Sequence, residues 1–237
     1  MSPPLFLVDD LPSGDSYHLT GPEGHHAADV QRLRVGEALI LADGRGSWAV
    51  GRVAEVAKGA LRVHVEKTES FGPPRPRLTV VQGIAKGERG ELAVQAMTEV
   101  GVDAIVPWQA ARSIARWKDE RPLERWRSTA REAAKQARRP WLPRVTPAES
   151  TASVARRMSA LAFVLHEEAT ERLTTVDLPD CDELTLVVGP EGGIAPEELA
   201  AFEAAGAVAV RLGASVLRTS TAGVAALSVL SARLGRW

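Results

Sequence analysis

A chain of 237 residues, with 29 Lys and Arg against 30 Asp and Glu for a net charge of −1, has room for one large domain or two modest ones, and 45% hydrophobic residues suffice for real cores. It contains no run of about 18 apolar residues to span a membrane, and Met1-Ser2-Pro3-Pro4 carries no basic stretch ahead of an apolar one, so the expectation is a cytosolic protein. Its single cysteine, Cys181, can close no internal disulfide and lies between Asp180 and Asp182, which raise a thiol pKa and speak against a catalytic cysteine.

Residues 1–71 read as a small β-rich domain with one helix. Leu5-Phe6-Leu7-Val8 predicts an opening strand, Asp43-Gly44-Arg45-Gly46 a hairpin turn between strands 38–41 and 48–53, and Lys58-Gly59 a second hairpin. Gly21-Pro22-Glu23-Gly24 reads as a turn leading into a helix over 25–33. The same tetrapeptide recurs at 189–192, but no buried-type strand precedes the first copy and no strand-helix-strand unit follows it, which argues against a duplication. Adjacent His25 and His26 face different directions on a helix and lack a third ligand at metal spacing; helix packing or RNA contact is the reading, and no metal is expected.

Gly72-Pro73-Pro74-Arg75-Pro76 stiffens the chain and forbids regular hydrogen bonding, which places a linker at 72–76 and a second domain at 77–237. There, strand 78–81, helix 91–100 and strand 104–107 form a βαβ unit, hence a parallel pair with a right-handed crossover. Between Arg112 and Arg144 eleven Lys and Arg face four acids, an excess of +7. Trp108, Trp117, Trp126 and Trp141 are interleaved with that charge. Two readings stand: a surface that neutralises phosphates and stacks on bases, or an amphipathic helix over 123–137 with its tryptophans in the core and a solvated arginine face. Phe163-Val164-Leu165-His166-Glu167-Glu168 is a strand with its exit loop; a zinc-peptidase motif fails because Thr170 stands where the second histidine belongs.

The last fifty residues predict a ligand site. The buried-type strand 184–188 ends in Gly189-Pro190-Glu191-Gly192-Gly193, and Pro196-Glu197-Glu198 opens a helix that stops at Gly206. Strand 207–212 then enters the loop Gly213-Ala214-Ser215-Val216-Leu217-Arg218-Thr219 before an Ala-rich helix over 221–233. Two Gly-containing loops at carboxyl ends of neighbouring strands point to one crevice, although a plain tight turn at 189–193 remains an alternative. There is no P-loop or dinucleotide fingerprint, and Gly213-Ala214-Ser215-Val216-Leu217 lacks the last glycine of a serine-hydrolase elbow.

Gly189-Pro190-Glu191-Gly192-Gly193, Leu212-Gly213 and Leu217-Arg218-Thr219-Ser220-Thr221-Ala222 resemble the RsmE family of SPOUT-class RNA methyltransferases. Lys86-Gly87-Glu88-Arg89, Arg112-Ser113, Glu132-Ala133-Ala134-Lys135-Gln136 and the His25-His26 region with Arg32-Leu33-Arg34 are similar to further family motifs. The resemblance implies an α/β fold in which a trefoil-knotted, parallel-sheet methyltransferase domain follows a small PUA-like β-barrel domain. It implies a homodimer and transfer of a methyl group from S-adenosylmethionine to N3 of a uridine in 16S rRNA, naked or in the assembled small subunit. A knotted ribose 2′-O methyltransferase and an inactive RNA-binding relative are the alternatives. Carried over to this chain, cofactor contacts fall on Leu165, His166, Val187, Gly189, Glu191, Gly192, Gly193, Leu212, Gly213, Leu217, Arg218, Thr219, Ser220, Thr221 and Ala222. Arg218 and Lys86 are the expected catalytic cations, and Arg32, Arg34, Lys86, Arg112, Arg125, Arg131, Arg138 and Arg139 the expected RNA contacts.

Overall fold

The computed structural model describes residues 2–237. Contacts divide the chain into one unit of Met1–Pro73 with Ala134–Leu142 and another of Pro74–Ala133 with Pro143–Trp237.

In the first unit β1 (Leu5–Leu7), β2 (Ser16–Leu19), β3 (Ala38–Ala42), β4 (Ser47–Ala57) and β5 (Ala60–Ser70) form one sheet in the order β1-β3-β4-β5-β2. β1 and β3 run parallel, and the other pairs are antiparallel. Alternation sends Phe6, Leu39, Leu41, Leu61 and Val63 into one core, while Leu5, Leu7 and Ile40 pack with Leu142 on the other side. Asp43 fixes the first hairpin, its Oδ1 accepting the Arg45 and Ser47 amides at 2.7 and 3.0 Å. The tetrapeptide expected as a turn is instead helical: α1 (Gly21–His25) takes Pro22 in its first turn, where a missing amide is harmless, and continues as a π-helical turn over His26–Val30. Helix stops short of residue 33 because Arg32 adopts a left-handed φ of 56°. Within this unit Lys135 pairs with Glu23 at 3.0 Å, and the Trp141 indole donates to Phe71 O and Gly72 O, both at 3.2 Å.

The second unit holds β6 (Arg77–Gly83), α2 (Arg89–Glu99), β7 (Ala104–Trp108), α3 (Arg121–Gln136, whose last turn belongs to the first unit), β8 (Arg144–Val145), α4 (Thr151–Arg156), β9 (Leu161–Leu165), β10 (Glu183–Val188), α5 (Pro196–Ala204), β11 (Val208–Val210) and α6 (Thr219–Arg233). Its six strands are all parallel, in the order β11-β9-β10-β6-β7-β8. β10 and β11 are therefore not neighbours; β9 lies between them, so the Leu165-His166 exit sits in the middle of the edge rather than beside it. Leu78, Val80, Leu184 and Leu186 pack against α2, α3 and α6, while Val81, Val106, Val164 and Val187 face Phe202 of α5 and Val154 of α4. Helices on both faces explain the continuous apolar strands. α6 lies close on α2 because residue 223 is glycine: a Cβ there would sit 2.6 Å from Met97 Sδ. The C-terminus is tied down by Arg236, which grips Asp103 at 2.8 and 3.3 Å and donates to Pro76 O and Gly101 O. No helix among the described residues is long and apolar enough to cross a membrane.

Candidate functional site

At the carboxyl edge of β9, β10 and β11 the second unit opens a cleft of about 760 Å³. Small-molecule sites span roughly 300–1,000 Å³ and favour this edge of a parallel sheet. Of the residues expected to contact a cofactor, Leu165, His166, Gly189, Glu191, Gly192, Gly193, Leu212, Gly213, Leu217, Arg218, Thr219 and Ala222 line it. Val187 is fully buried in β10, Ser220 is buried in the first turn of α6, and Thr221 is exposed with its hydroxyl donating to Arg218 O at 3.2 Å; none of the three lines the cleft.

Glycine is required here for close approach rather than for flexibility. A Cβ on Gly83 would lie 2.5 Å from Pro190 N, and one on Gly192 2.8 Å from Arg112 O, so two strand-exit loops press backbone to backbone. A polar chain then ties the edge together. Gln82, fully buried in β6, donates through Nε2 to Thr219 Oγ1 at 2.9 Å, and that hydroxyl donates to Gly189 O at 2.7 Å. β6, the loop after β10 and the start of α6 are thereby held in one register. Glu191 bridges further: its Oε1 accepts the Lys86 amide at 3.0 Å and approaches Arg89 Nη1 at 3.4 Å. Two buried oxygens, Glu191 Oε2 and Gln82 Oε1, have no hydrogen-bond partner among the described residues. Buried polar atoms are seldom left so.

Cations surround the opening, with Arg89, Arg112, Arg211 and Arg218 all on its lining. Sequence reasoning missed Arg89, Arg211 and Glu167. Gln82 was missed as well, although it is the one amide at the end of the apolar run 78–82. The Lys86 side chain is exposed and does not line the cleft; it reaches the site through its amide. Arg125 and Arg131 are exposed on α3, Arg138 is exposed with its guanidinium donating to Pro3 O at 2.9 Å, and Arg139 is half-buried. Arg32 and Arg34 are exposed in the first unit. The tryptophans follow the core reading: Trp108 and Trp126 are 0% and 2% exposed, and Trp117 packs edge-on against Trp126 at 5.0 Å. Base stacking by those three would require unpacking. Burial, and then Asp180 and Asp182, push the Cys181 thiol up, and among the described residues no group of three or more His, Cys, Asp or Glu could hold a metal.

The family models match in the same places. An RNA methyltransferase domain covers residues 73–231 and an RNA methyltransferase PUA domain residues 19–66. Ribosomal RNA small subunit methyltransferase E of Mycobacterium bovis is 48% identical over 243 residues, covering 98% of this chain and 93% of the relative. The chain belongs to the ribosomal RNA small subunit methyltransferase E family. The member from Bacillus subtilis is 31% identical over 94% of this chain and 91% of its own length. A crystal structure of the Neisseria gonorrhoeae member bound to S-adenosyl methionine superposes with a TM-score of 0.89 at 26% identity, each chain covered to 98%.

Proposed function

We propose that the chain transfers a methyl group from S-adenosylmethionine to N3 of one uridine in the 16S rRNA of the small ribosomal subunit, as a cytoplasmic homodimer. The observation that carries this reading is the cleft itself: backbone-walled by glycine loops, rimmed by arginines, and lined by Glu167 and Glu191. Those features suit a ligand with a flat base, a carboxylate and a cationic centre. The residues at 165–166, 189–193 and 212–222 would hold it, largely through main-chain groups. In the same proposal residues 1–71 are a PUA-like RNA-binding domain, 72–76 the linker and 77–237 the knotted methyltransferase domain.

When bound, the cofactor supplies an electrophilic methyl group on a sulfonium. The chain must supply an exposed pairing edge and a stabilised uracil anion, because N3 carries a proton until it reacts. A uridine from a loop or flipped from a helix meets the first need. Arg218, exposed at the amino end of α6 on the cleft lining, meets the second: it cannot accept a proton, so it acts as fixed positive charge. Lys86, a few residues from Arg89 at the β6 exit, adds charge from outside the lining. The N3 proton leaves to water. His166 Nδ1 is already engaged in accepting the Glu168 amide at 3.3 Å, and the unpartnered Glu191 Oε2 is inaccessible. The nitrogen lone pair then takes the methyl group and the sulfonium becomes a neutral thioether.

Purified protein with rRNA and labelled S-adenosylmethionine tests this reading by nucleoside digestion. N3-methyluridine, formed faster as pH rises and stopping reverse transcriptase at one position, is the expected product. Label on a ribose 2′-oxygen overturns the proposal, and a 25.4 kDa species by light scattering at micromolar concentration overturns the dimer.

A further inference from the structure

A buried carboxylate outside the cleft ties together the structure behind it. Glu198, in the first turn of α5, is 5% exposed. Its Oε2 accepts the Ala195 amide at 3.2 Å, the one bond that capping a helix needs. Its Oε1 does something else: it accepts the Ala111 amide at 2.8 Å and the Thr151 hydroxyl at 2.7 Å. Thr151 Oγ1 in turn accepts the Trp108 indole N–H at 3.1 Å. A charge taken out of water is destabilising unless several donors compensate it, so this carboxylate is held by the loop as firmly as it holds the loop.

That loop, 109–115, follows β7 and is closed by Ser113 N–H to Ala110 O at 3.1 Å and by Gln109 Nε2 to Ala115 O at 3.1 Å. Arg112 lies next to the pinned Ala111. Its backbone presses on Gly192, and its guanidinium lines the cleft with Nη1 3.5 Å from both Gly192 O and Ile194 O. Contacts at that distance are too long to orient a side chain. The backbone must therefore do the orienting, and the backbone is fixed by Glu198.

We infer that Glu198 is a positioning residue for RNA: through the Ala111 amide and Thr151 it holds the loop from which Arg112 meets the polynucleotide at the mouth of the cleft. This rests on the proposed function, but its test is read on RNA affinity, which does not depend on which atom is methylated. Glu198→Gln keeps the volume but has one acceptor oxygen where the carboxylate has two, so whichever way the amide turns its NH₂ faces a donor, Ala195 on one side or Ala111 and Thr151 on the other, and the charge that held them is gone.

The measurement is a double-mutant cycle of Glu198→Gln and Arg112→Ala, with RNA affinity by fluorescence anisotropy and cofactor affinity by calorimetry. Displacing a guanidinium by about an ångström should weaken RNA binding roughly tenfold, a larger loss than any in cofactor affinity. The double variant should bind RNA no more weakly than Arg112→Ala alone, since a residue acting through another has nothing left to position. Additive losses overturn the inference, as does equal loss of cofactor affinity in Glu198→Gln. If Glu198→Gln does not fold, Thr151→Val and Thr151→Ser carry the comparison: the valine variant should lose RNA affinity and the serine variant keep it, and a valine variant that binds like wild type refutes the link. Wild-type protein that binds RNA but forms no N3-methyluridine counts against the proposed function and leaves the cycle readable.

Discussion

Gly192→Ala adds one carbon, and the structure says what that carbon meets. An ideal Cβ at 192 lies 2.8 Å from Arg112 O and 3.0 Å from Arg112 Cβ, about 0.6 Å inside ordinary van der Waals contact at 3.4 Å. A carbonyl oxygen cannot swing aside as a long side chain would, and this one belongs to a loop anchored by Glu198. The loop at 189–193 must yield instead, yet it is held by Thr219 Oγ1 on Gly189 O and by Gly193 N–H on Pro190 O at 2.9 Å. Overpacking of this kind costs about 1–3 kcal/mol. If that strain falls on the arrangement that receives the cofactor, Kd for S-adenosylmethionine rises roughly 5- to 150-fold. Valine should be worse than alanine through its collision with Arg112. Gly14→Ala is the control, because a Cβ there has nothing within 4 Å and the residue does not line the cleft. Gly193→Ala separates a second cause, since its site is open but its φ is 73°, a backbone strain of roughly 1–2 kcal/mol for a residue with a side chain. Calorimetry with S-adenosylmethionine reads all three. A folded Gly192→Ala protein that binds the cofactor as tightly as Gly14→Ala would refute the argument.

Arg236→Ala removes the bidentate cation from Asp103, whose side chain is 9% exposed and still accepts the Leu78 amide at 2.9 Å, so stability should fall by about 1–3 kcal/mol; the urea midpoint should drop with an unchanged slope, and an unchanged midpoint would contradict this. Arg125→Ala removes a largely exposed cation paired with Glu91 at 3.2 Å, so stability should change by under about 1 kcal/mol, while the log–log salt dependence of RNA binding should lose roughly one unit of slope if the arginine tracks a phosphate. An unchanged slope returns α3 to a solvated helix face. Cys181, its thiol pushed up by burial and by Asp180 and Asp182, holds less thiolate at any given pH than an ordinary cysteine; alkylation should be slow at neutral pH and accelerate as pH rises, and fast labelling at pH 7 would refute that environment.

The sequence made the second unit legible because both helical and strand periods were strong there. β6, α2, β7, β9, β10, α5, β11 and α6 all form within a few residues of the expected places. Strand adjacency was not legible: β10 and β11 follow each other in the chain, yet β9 separates them, and no pattern of apolar residues encodes which strands pair across a crossover. Short elements escaped for another reason. β8 has two residues, and β2, Ser16-Tyr17-His18-Leu19, buries only its last, so neither offers a period to detect. The composition of Gly21-Pro22-Glu23-Gly24 suits a turn, but proline in a first helical turn is equally at home. The basic segment shows the limit of charge counting: the same residues encode an amphipathic helix with Trp126 in the core and arginines outside, and only burial separates the two readings.

What the sequence could not show was why Gln82 and Glu198 are polar. Each is buried where an apolar residue would be less costly to place, one in a strand of a sheet covered on both faces and one on the inner face of a helix. Besides a local bond, to Gly83 O for Gln82 and from the Ala195 amide for Glu198, each takes partners from other elements, Thr219 for Gln82 and Ala111 with Thr151 for Glu198. Apolar packing is tolerant of slippage because methyl groups exchange neighbours at little cost, whereas a directed chain such as Gln82 to Thr219 to Gly189 has one satisfied arrangement. A cleft whose walls are bare loops needs that kind of specification, since glycine supplies close approach and no side chain to lock it. The glycines and the buried polar residues are thus two halves of one device: the first let the loops touch, and the second determine where.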